Sequence, residues 1–149
     1  MDVTVSLQGR RQRLRALHDT GNTLRDPVSG QPVLVLEQDA LRELWPPEAA
    51  RIVEMRLPPE EKMARLHRLD GTCRWSLLPA VGTEAGLLLA VRSDYVKVGS
   101  ITYPRILLAL TPGAVSDGGG YQALWGGRKE RRHGESAAAA SAVAQRPAG

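Results

Sequence analysis

The stretch Leu17-His18-Asp19-Thr20-Gly21-Asn22 decides the fold that is predicted for this chain. Upstream of it, residues 3–7 alternate apolar and polar side chains, which is the period of a half-buried strand. Gln8-Gly9-Arg10 can turn the chain back, and a second strand through residues 14–17 then leads into Asp19. The opening is therefore predicted to be a β-hairpin whose return strand delivers Asp19 to a Thr-Gly turn.

Length and composition indicate one globular domain. The chain has 149 residues, of which 42% are hydrophobic, yet it contains no Phe and only three Trp and three Tyr. A packed core of mainly aliphatic side chains is expected. Residues 1–126 are predicted to form the domain. Residues 127–149 change to a charged block followed by Ala, Ser, Gln and Pro, and are predicted to be a disordered basic, Ala-rich tail.

The distribution of basic charge argues against a nucleic-acid binder. Of the net charge of +4, the tail holds +3, from five basic and two acidic residues, which leaves +1 for residues 1–126. The arginine cluster at residues 10–15 lacks interleaved aromatic side chains that could stack on bases. A solvated hairpin face is the preferred interpretation, and no nucleic-acid partner is expected.

The cysteine and histidine content offers no cofactor or metal site. Cys73 is the single cysteine, so an internal disulfide is excluded. His18, His67 and His133 have no ligand spacing between them. No apolar run approaches the roughly 18 residues of a membrane span, and the first residues do not form a signal peptide. The chain as given is expected to be soluble, in a reduced cytosolic setting.

Downstream of the Asp19 turn, the pattern predicts mainly short strands. A turn is expected at 26–30 and another at 99–100. The predicted strands are 32–36, 73–78, 87–91, 95–98 and 101–110. Helices are predicted from Asp39 to a stop at Pro46-Pro47, from Pro58 through Leu66, and as one turn over 121–125, while 48–55 could be strand or helical turn. Short strands with few helices indicate a mostly-β domain.

The tripeptide Asp19-Thr20-Gly21 is weak evidence by itself, because turns commonly contain these residues. Its context carries more information. It follows an apolar strand, and a glycine-flanked segment arrives some sixty residues later, followed by two more strands and a Gly-rich turn. That segment, Val81, Gly82, Thr83, Glu84, Ala85 and Gly86, has the pattern of a hairpin tip.

This order of elements resembles the retropepsin type of aspartic peptidase, a half-size form that is active as a symmetric dimer. More narrowly, Asp19-Thr20-Gly21-Asn22 with Leu24, Asp26-Pro27, Gly30 and Pro32-Val33 resembles the sporulation sigma-E factor-processing peptidase family. Further pieces resemble it at 80–82, 86–90, 93–96 and 121–124. The resemblance covers residues 3–126 and implies a retropepsin-like half-barrel with one or two short helices, active as a homodimer.

The chemistry expected from the motif can be stated on physical grounds. Peptide hydrolysis without a metal or a nucleophilic side chain needs a water, a base and an acid. Two carboxylates ~3 Å apart supply both, since they cannot both ionise and therefore share a proton. The chain offers one Asp-Thr-Gly, so a twofold dimer would bring the second Asp19. Asp19 is therefore the predicted catalytic residue.

The resemblance assigns supporting roles to other residues. Thr20, Gly21 and Asn22 would support the active-site loop, with Thr20 bonding across the dimer axis; a simple turn hydroxyl is the alternative. Residues 81–86 would be the flap over the substrate, or else an ordinary β-turn. Gly118, Gly119 and Gly120 would pass close behind the active loop, or else form a surface loop. His18 replaces the usual aliphatic residue and is expected to be a satisfied core or interface histidine rather than a catalytic one.

The resemblance also implies partners and a location. The substrate would be a sporulation sigma factor precursor, from which an inhibitory N-terminal segment is removed. A signalling protein from the neighbouring compartment is the candidate activator, and the full-length family is expected to be anchored in the membrane at the sporulation septum, with this chain on the cytoplasmic face. Two other hypotheses remain open: a catalytically idle interaction module with the same fold, and a nucleic-acid binder whose affinity would fall steeply with salt.

Overall fold

The computed structural model describes residues 1–22, 24–69, 73–80, 86–116 and 118–128. Within them the chain forms one curled, nine-stranded half-barrel sheet and two α-helices, which confirms the mostly-β class. The strands are β1 (Asp2–Leu7), β2 (Arg10–His18), β3 (Leu34–Glu37), β4 (Trp75–Pro79), β5 (Leu87–Arg92), β6 (Tyr95–Val98), β7 (Ile101–Pro104), β8 (Leu107–Thr111) and β9 (Ala123–Trp125). The helices are α1 (Pro47–Glu54) and α2 (Pro59–His67). The strand order is β4-β5-β8-β3-β9-β2-β1-β6-β7.

The opening hairpin forms as predicted. Strands β1 and β2 pair antiparallel, with Val5 opposite Gln12. Gln8 and Gly9 both have positive φ, of 53° and 81°, which is the backbone of the two-residue turn that matches strand twist. Alternate side chains of both strands are buried in the core. The return strand ends at His18, one residue before Asp19.

The short strand β9 joins the two halves of the sheet. It pairs parallel with β2, placing His18 beside Trp125, and antiparallel with β3, placing Leu34 beside Trp125. Because parallel strands end at the same edge of a sheet, the residue after β2 lies next to the residue after β9. Asp19 therefore lies beside Gly126.

Three predicted elements are corrected by the structure. Residues 121–125 contain β9 rather than a helical turn, because Ala123–Trp125 is held by strands on both sides. The single strand predicted over 101–110 is two strands, β7 and β8, divided at Arg105, whose φ is 58°. The helix predicted from Asp39 is only a 3₁₀ turn at Arg42–Leu44.

The first α-helix begins at the residue where the sequence predicted that a helix would stop. Pro47 is expected from the sequence to stop a helix, but it is the first residue of α1, where its missing N–H has no helical partner to lose. The helix predicted after Pro58 is confirmed as α2, with Leu66 buried. Neither of these described helices, of eight and nine residues, could span a bilayer.

Two apolar clusters cover the two faces of the sheet. The larger one contains Leu34 and Leu36 and includes residues of α1 and α2. The smaller one contains Val33 and Val35, with partners from β4, β5 and β8. Alternate residues of β3 therefore belong to different clusters, as the strand period of two requires. Strands β3 and β8 are buried on both faces, whereas β2, which leads to the Asp19 loop, buries one face only.

Candidate active site

Asp19 stands in a tight turn at the end of β2. Its backbone N–H donates to the carbonyl oxygen of Trp125 at 2.8 Å, so the parallel pairing continues to the catalytic candidate. Its side-chain Oδ1 accepts from the backbone N–H of Gly21 at 3.0 Å, and its carbonyl accepts from the N–H of Asn22 at 3.1 Å. These bonds orient a partly exposed carboxylate at the edge of the sheet.

Asn22 closes the same turn through its side chain. Its Oδ1 accepts from the N–H of Leu24 at 3.1 Å. Its Nδ2 is buried and finds no hydrogen-bond partner among the residues that the structure describes. The structure thus brings the predicted residues Asp19, Gly21 and Asn22 into one loop, with Thr20 exposed between them.

The segment after β9 packs directly behind this loop. A Cβ on Gly126 would lie 2.5 Å from the carbonyl oxygen of Asn22 and 3.3 Å from that of Asp19. A Cβ on Gly127 would lie 2.6 Å from the Trp125 ring. Gly126 is therefore required by the close approach of its backbone to the loop, whereas a Cβ on Gly127 would clash with the side chains of Trp125 and Pro32.

The family resemblance predicted that Gly118–Gly120, not Gly126, would pack behind the Asp19 loop. A Cβ added to Gly118 or Gly120 would have no atom within 4 Å, and Gly119 is in open space with a φ of +73°. The close approach expected of Gly118–Gly120 is made by Gly126 instead. The available signal is a glycine pair directly after the apolar run Ala123–Trp125, which coincides with the predicted domain boundary.

Three side chains hold the backbone of residues 126–128 in place. The Nε2–H of His18 donates to the carbonyl oxygen of Gly127 at 2.6 Å. Trp125 Nε1 and the Tyr103 hydroxyl both donate to the carbonyl oxygen of Arg128, at 2.8 and 2.9 Å. The rings of Tyr103 and Trp125 also contact each other, with centroids 5.1 Å apart. His18 is therefore a hydrogen-bonded histidine that ties β2 to the segment behind Asp19.

A buried ion pair supports the chain just after the Asp19 loop, and the sequence analysis did not predict it. Asp26 is 1% exposed, and its carboxylate is paired with the guanidinium of Arg92. It also accepts from the N–H of Val28 and the hydroxyl of Ser29, both at 2.9 Å. Burial raises the pKa of Asp26, but the hydrogen bonds from Arg92, Val28 and Ser29 and the charge of Arg92 outweigh it and lower the pKa from 3.8 to about 2.

We expect Asp26→Asn to lower the free energy of unfolding by about 2 kcal/mol at neutral pH. The amide keeps the shape of the carboxylate but turns an N–H₂ group or a neutral oxygen toward Arg92. Because the folded pKa lies below the unfolded one, the parent gains this stability above pH 3.8 and loses it as the pH falls toward 2. Denaturant unfolding at pH 6 and at pH 2 measures it.

The difference between parent and Asp26→Asn should therefore shrink as the pH falls through this window. Asp39→Asn is the matched control, since Asp39 is exposed and its nearest ion-pair atom, on Arg42, is 3.9 Å away. A difference that stays constant from pH 6 to pH 2 would contradict an ionised, paired Asp26.

The remaining predicted site residues are placed only in part. Residues 81–85 of the expected flap lie outside the described residues. The hairpin that carries them is in place, because β4 and β5 pair antiparallel from Trp75 and Val91 to Pro79 and Leu87, and Ala80 N–H donates to Gly86 carbonyl at 3.0 Å. In the described part of the chain, no three His, Cys, Asp or Glu side chains gather into a metal site.

Comparison with known proteins gives two matches. A family model described as sporulation factor SpoIIGA, of the peptidase U4 type, matches residues 1–126. A protein of Bacillus thuringiensis subsp. kurstaki, named as a sporulation sigma factor-processing peptidase, is 28% identical over 132 residues, covering 82% of this chain and 78% of its own length. No solved structure matches the chain significantly.

Proposed function

The chain belongs to the peptidase U4 family of sporulation factor SpoIIGA, and from this premise we propose that it is a dimeric aspartic endopeptidase with Asp19 as its catalytic residue. The observation that supports the proposal is the geometry of the Asp19 turn. A partly exposed carboxylate is aligned by the N–H of Gly21, and its backbone is bonded to Trp125. Two central strands fix its position, as a catalytic group requires.

A single chain holds only half of such a site. Among the described residues, the Asp19 side chain has the N–H of Gly21 as its hydrogen-bond partner and no second carboxylate. Peptide hydrolysis by carboxyl groups needs two, because one must be ionised as base while the other is protonated as acid. A symmetric dimer brings Asp19 of each protomer to the twofold axis and completes the pair.

The reaction then proceeds without a covalent intermediate. The ionised carboxylate takes a proton from water, and the hydroxyl adds to the carbonyl carbon of the substrate. The protonated carboxyl gives its proton to the carbonyl oxygen. The tetrahedral species collapses when the leaving nitrogen takes a proton from the first carboxyl and the C–N bond breaks. One hydroxyl of the tetrahedral species returns its proton to the second carboxylate at the same time, which leaves the carboxylic acid product and restores the starting protonation of the pair. Each step moves one proton between groups held in place, which is general acid–base catalysis.

The neighbouring residues support this reaction. Thr20 is exposed at the tip of the turn and would hydrogen-bond to its copy across the axis. Asn22 supports the loop from within, because its Oδ1 accepts from the N–H of Leu24 at 3.1 Å. Residues 81–86, carried on the β4–β5 hairpin, would close over the substrate and exclude water.

The substrate is proposed to be a sporulation sigma factor precursor. The support is the name given to the Bacillus thuringiensis relative, that of a sporulation sigma factor-processing peptidase. The enzyme would remove the inhibitory segment of the precursor. Incubating the purified chain with such a precursor and mapping the product ends tests this assignment. Intact precursor at every enzyme concentration would favour the catalytically idle interaction module.

Dimeric catalysis predicts that activity depends on the square of chain concentration. Below the dimer dissociation constant, a twofold dilution should lower the cleavage rate about fourfold, because the active species is the dimer. Initial rates over a dilution series, with sedimentation on the same samples, provide the measurement. Two copies joined by a flexible linker are the control, and their rate should fall only in proportion to dilution. A proportional rate from a chain that sediments as a monomer would contradict the shared site.

A further inference from the structure

A cavity opens next to α2, beside the first residues of β5 after the β4–β5 turn. Its volume is about 340 Å³, near the lower end of the range for small-molecule sites. None of its lining residues belongs to the Asp19 turn or to the segment after β9. Its apolar walls are aliphatic, formed by Leu57, Leu87, Leu88, Leu89, Leu110 and Pro112.

One buried cation lines this apolar cavity. Lys62 lies on α2 and is 7% exposed. Its Nζ donates to the carbonyl oxygen of Val53 at 2.7 Å and to Oε1 of Gln38 at 3.1 Å. Both acceptors are neutral, and no carboxylate of the described residues pairs with Lys62. An ammonium group has three N–H donors, so one remains for a ligand.

The ammonium group of Lys62 is buried without a carboxylate partner among the described residues. Removing a charge from water is costly unless an opposite charge compensates it. Burial accordingly lowers the pKa of Lys62. A neutral apolar ligand would leave the ammonium uncompensated, whereas a carboxylate would pair with it. The leucine walls in turn suit a hydrocarbon chain.

We propose that this cavity binds a small aliphatic carboxylic acid, with its carboxylate on Lys62 and its hydrocarbon chain against the leucine walls. The site is separate from the Asp19 turn, so it does not rest on the proposed peptidase activity. Binding is carried by one charge-assisted hydrogen bond and by burial of apolar surface, and each contribution can be removed separately.

The test uses octanoate and its uncharged counterpart octanamide as probes of the full chain. Calorimetric or NMR titration should show octanoate binding about tenfold more tightly than octanamide, as the loss of one charged hydrogen bond implies. Lys62→Met should weaken octanoate binding about tenfold and leave octanamide unchanged. Lys97→Met is the matched control, since Lys97 is exposed and does not line the cavity. Equal binding of both probes, or no octanoate binding, would overturn the proposal.

Folding of the variant is checked independently. Met has nearly the length of Lys and no charge to bury, but it leaves the carbonyl of Val53 without its donor, so the melting temperature of Lys62→Met is measured beside the titration. If this variant does not fold, the parent chain still decides the question through amide shifts. Octanoate should shift the signals of Leu87–Leu89 and of α2. Shifts confined to the Asp19 turn would place the ligand elsewhere and overturn the inference.

Discussion

The Asp19→Asn variant is expected to cleave a sigma factor precursor at least about a thousandfold more slowly than the parent chain. An amide can neither take a proton from water nor return one to the leaving nitrogen. The substitution keeps the shape of the side chain, and its Oδ1 can still accept the N–H of Gly21, which lies 3.0 Å from the carboxylate oxygen. The variant should therefore fold and dimerise as the parent does.

Precursor cleavage by purified proteins measures this effect, with sedimentation confirming equal dimer content. Asp39→Asn is the matched control, because it makes the same chemical change at an exposed carboxylate on another loop. Cleavage at the parental rate by Asp19→Asn would contradict an aspartic mechanism for this chain.

Mixing the parent with Asp19→Asn separates a shared site from a site within one chain. If each dimer has one site built from two copies of Asp19, a mixed dimer is inactive. With equal amounts of both chains, about a quarter of the dimers are then parental, so activity falls well below half. Activity equal to the parental fraction of the mixture would place the complete site in one protomer.

The sequence predicted the part of the fold in which local pattern and local structure agree. The β1–β2 hairpin follows from alternation and from a turn at Gln8-Gly9, both of which are decided within a few residues. The turn at 26–30 follows from Pro and Gly in the same way, with Gly30 at a φ of 74°. The Asp19 loop was found because its motif directly follows such a strand. These features need no knowledge of distant parts of the chain.

The features that were missed depend on contacts between distant residues. Strand β9 has three residues, too few for a period, and is a strand only because β2 and β3 lie on either side of it. Asp26 and Arg92 are 66 residues apart, so neither position indicates its partner. Arg105 divides the segment 101–110 into two strands with a positive φ that non-glycine residues seldom adopt. Tertiary pairing decides each of these.

The requirement for glycine behind the Asp19 loop is a contact of this kind, and it can be tested. We expect Gly126→Ala to lower the free energy of unfolding by about 1–3 kcal/mol. The added Cβ would lie 2.5 Å from the carbonyl oxygen of Asn22, a backbone atom that cannot rotate away. The segment or the loop must move, and the bond between Asp19 N–H and Trp125 carbonyl transmits the movement to the carboxylate. Since small misplacements of catalytic groups are costly, cleavage should fall about a hundredfold.

Gly120→Ala is the matched control for this substitution, because its added Cβ would have no atom within 4 Å and its φ is not in the left-handed region. Its stability should stay within about 0.5 kcal/mol of the parent, with unchanged cleavage. Denaturant unfolding and precursor cleavage of both variants distinguish the two assignments. If stability and cleavage fall in Gly120→Ala but not in Gly126→Ala, then Gly118–Gly120 support the Asp19 loop as the resemblance predicted. Loss in Gly126→Ala alone would make the close approach after β9 the support on which the geometry of Asp19 depends.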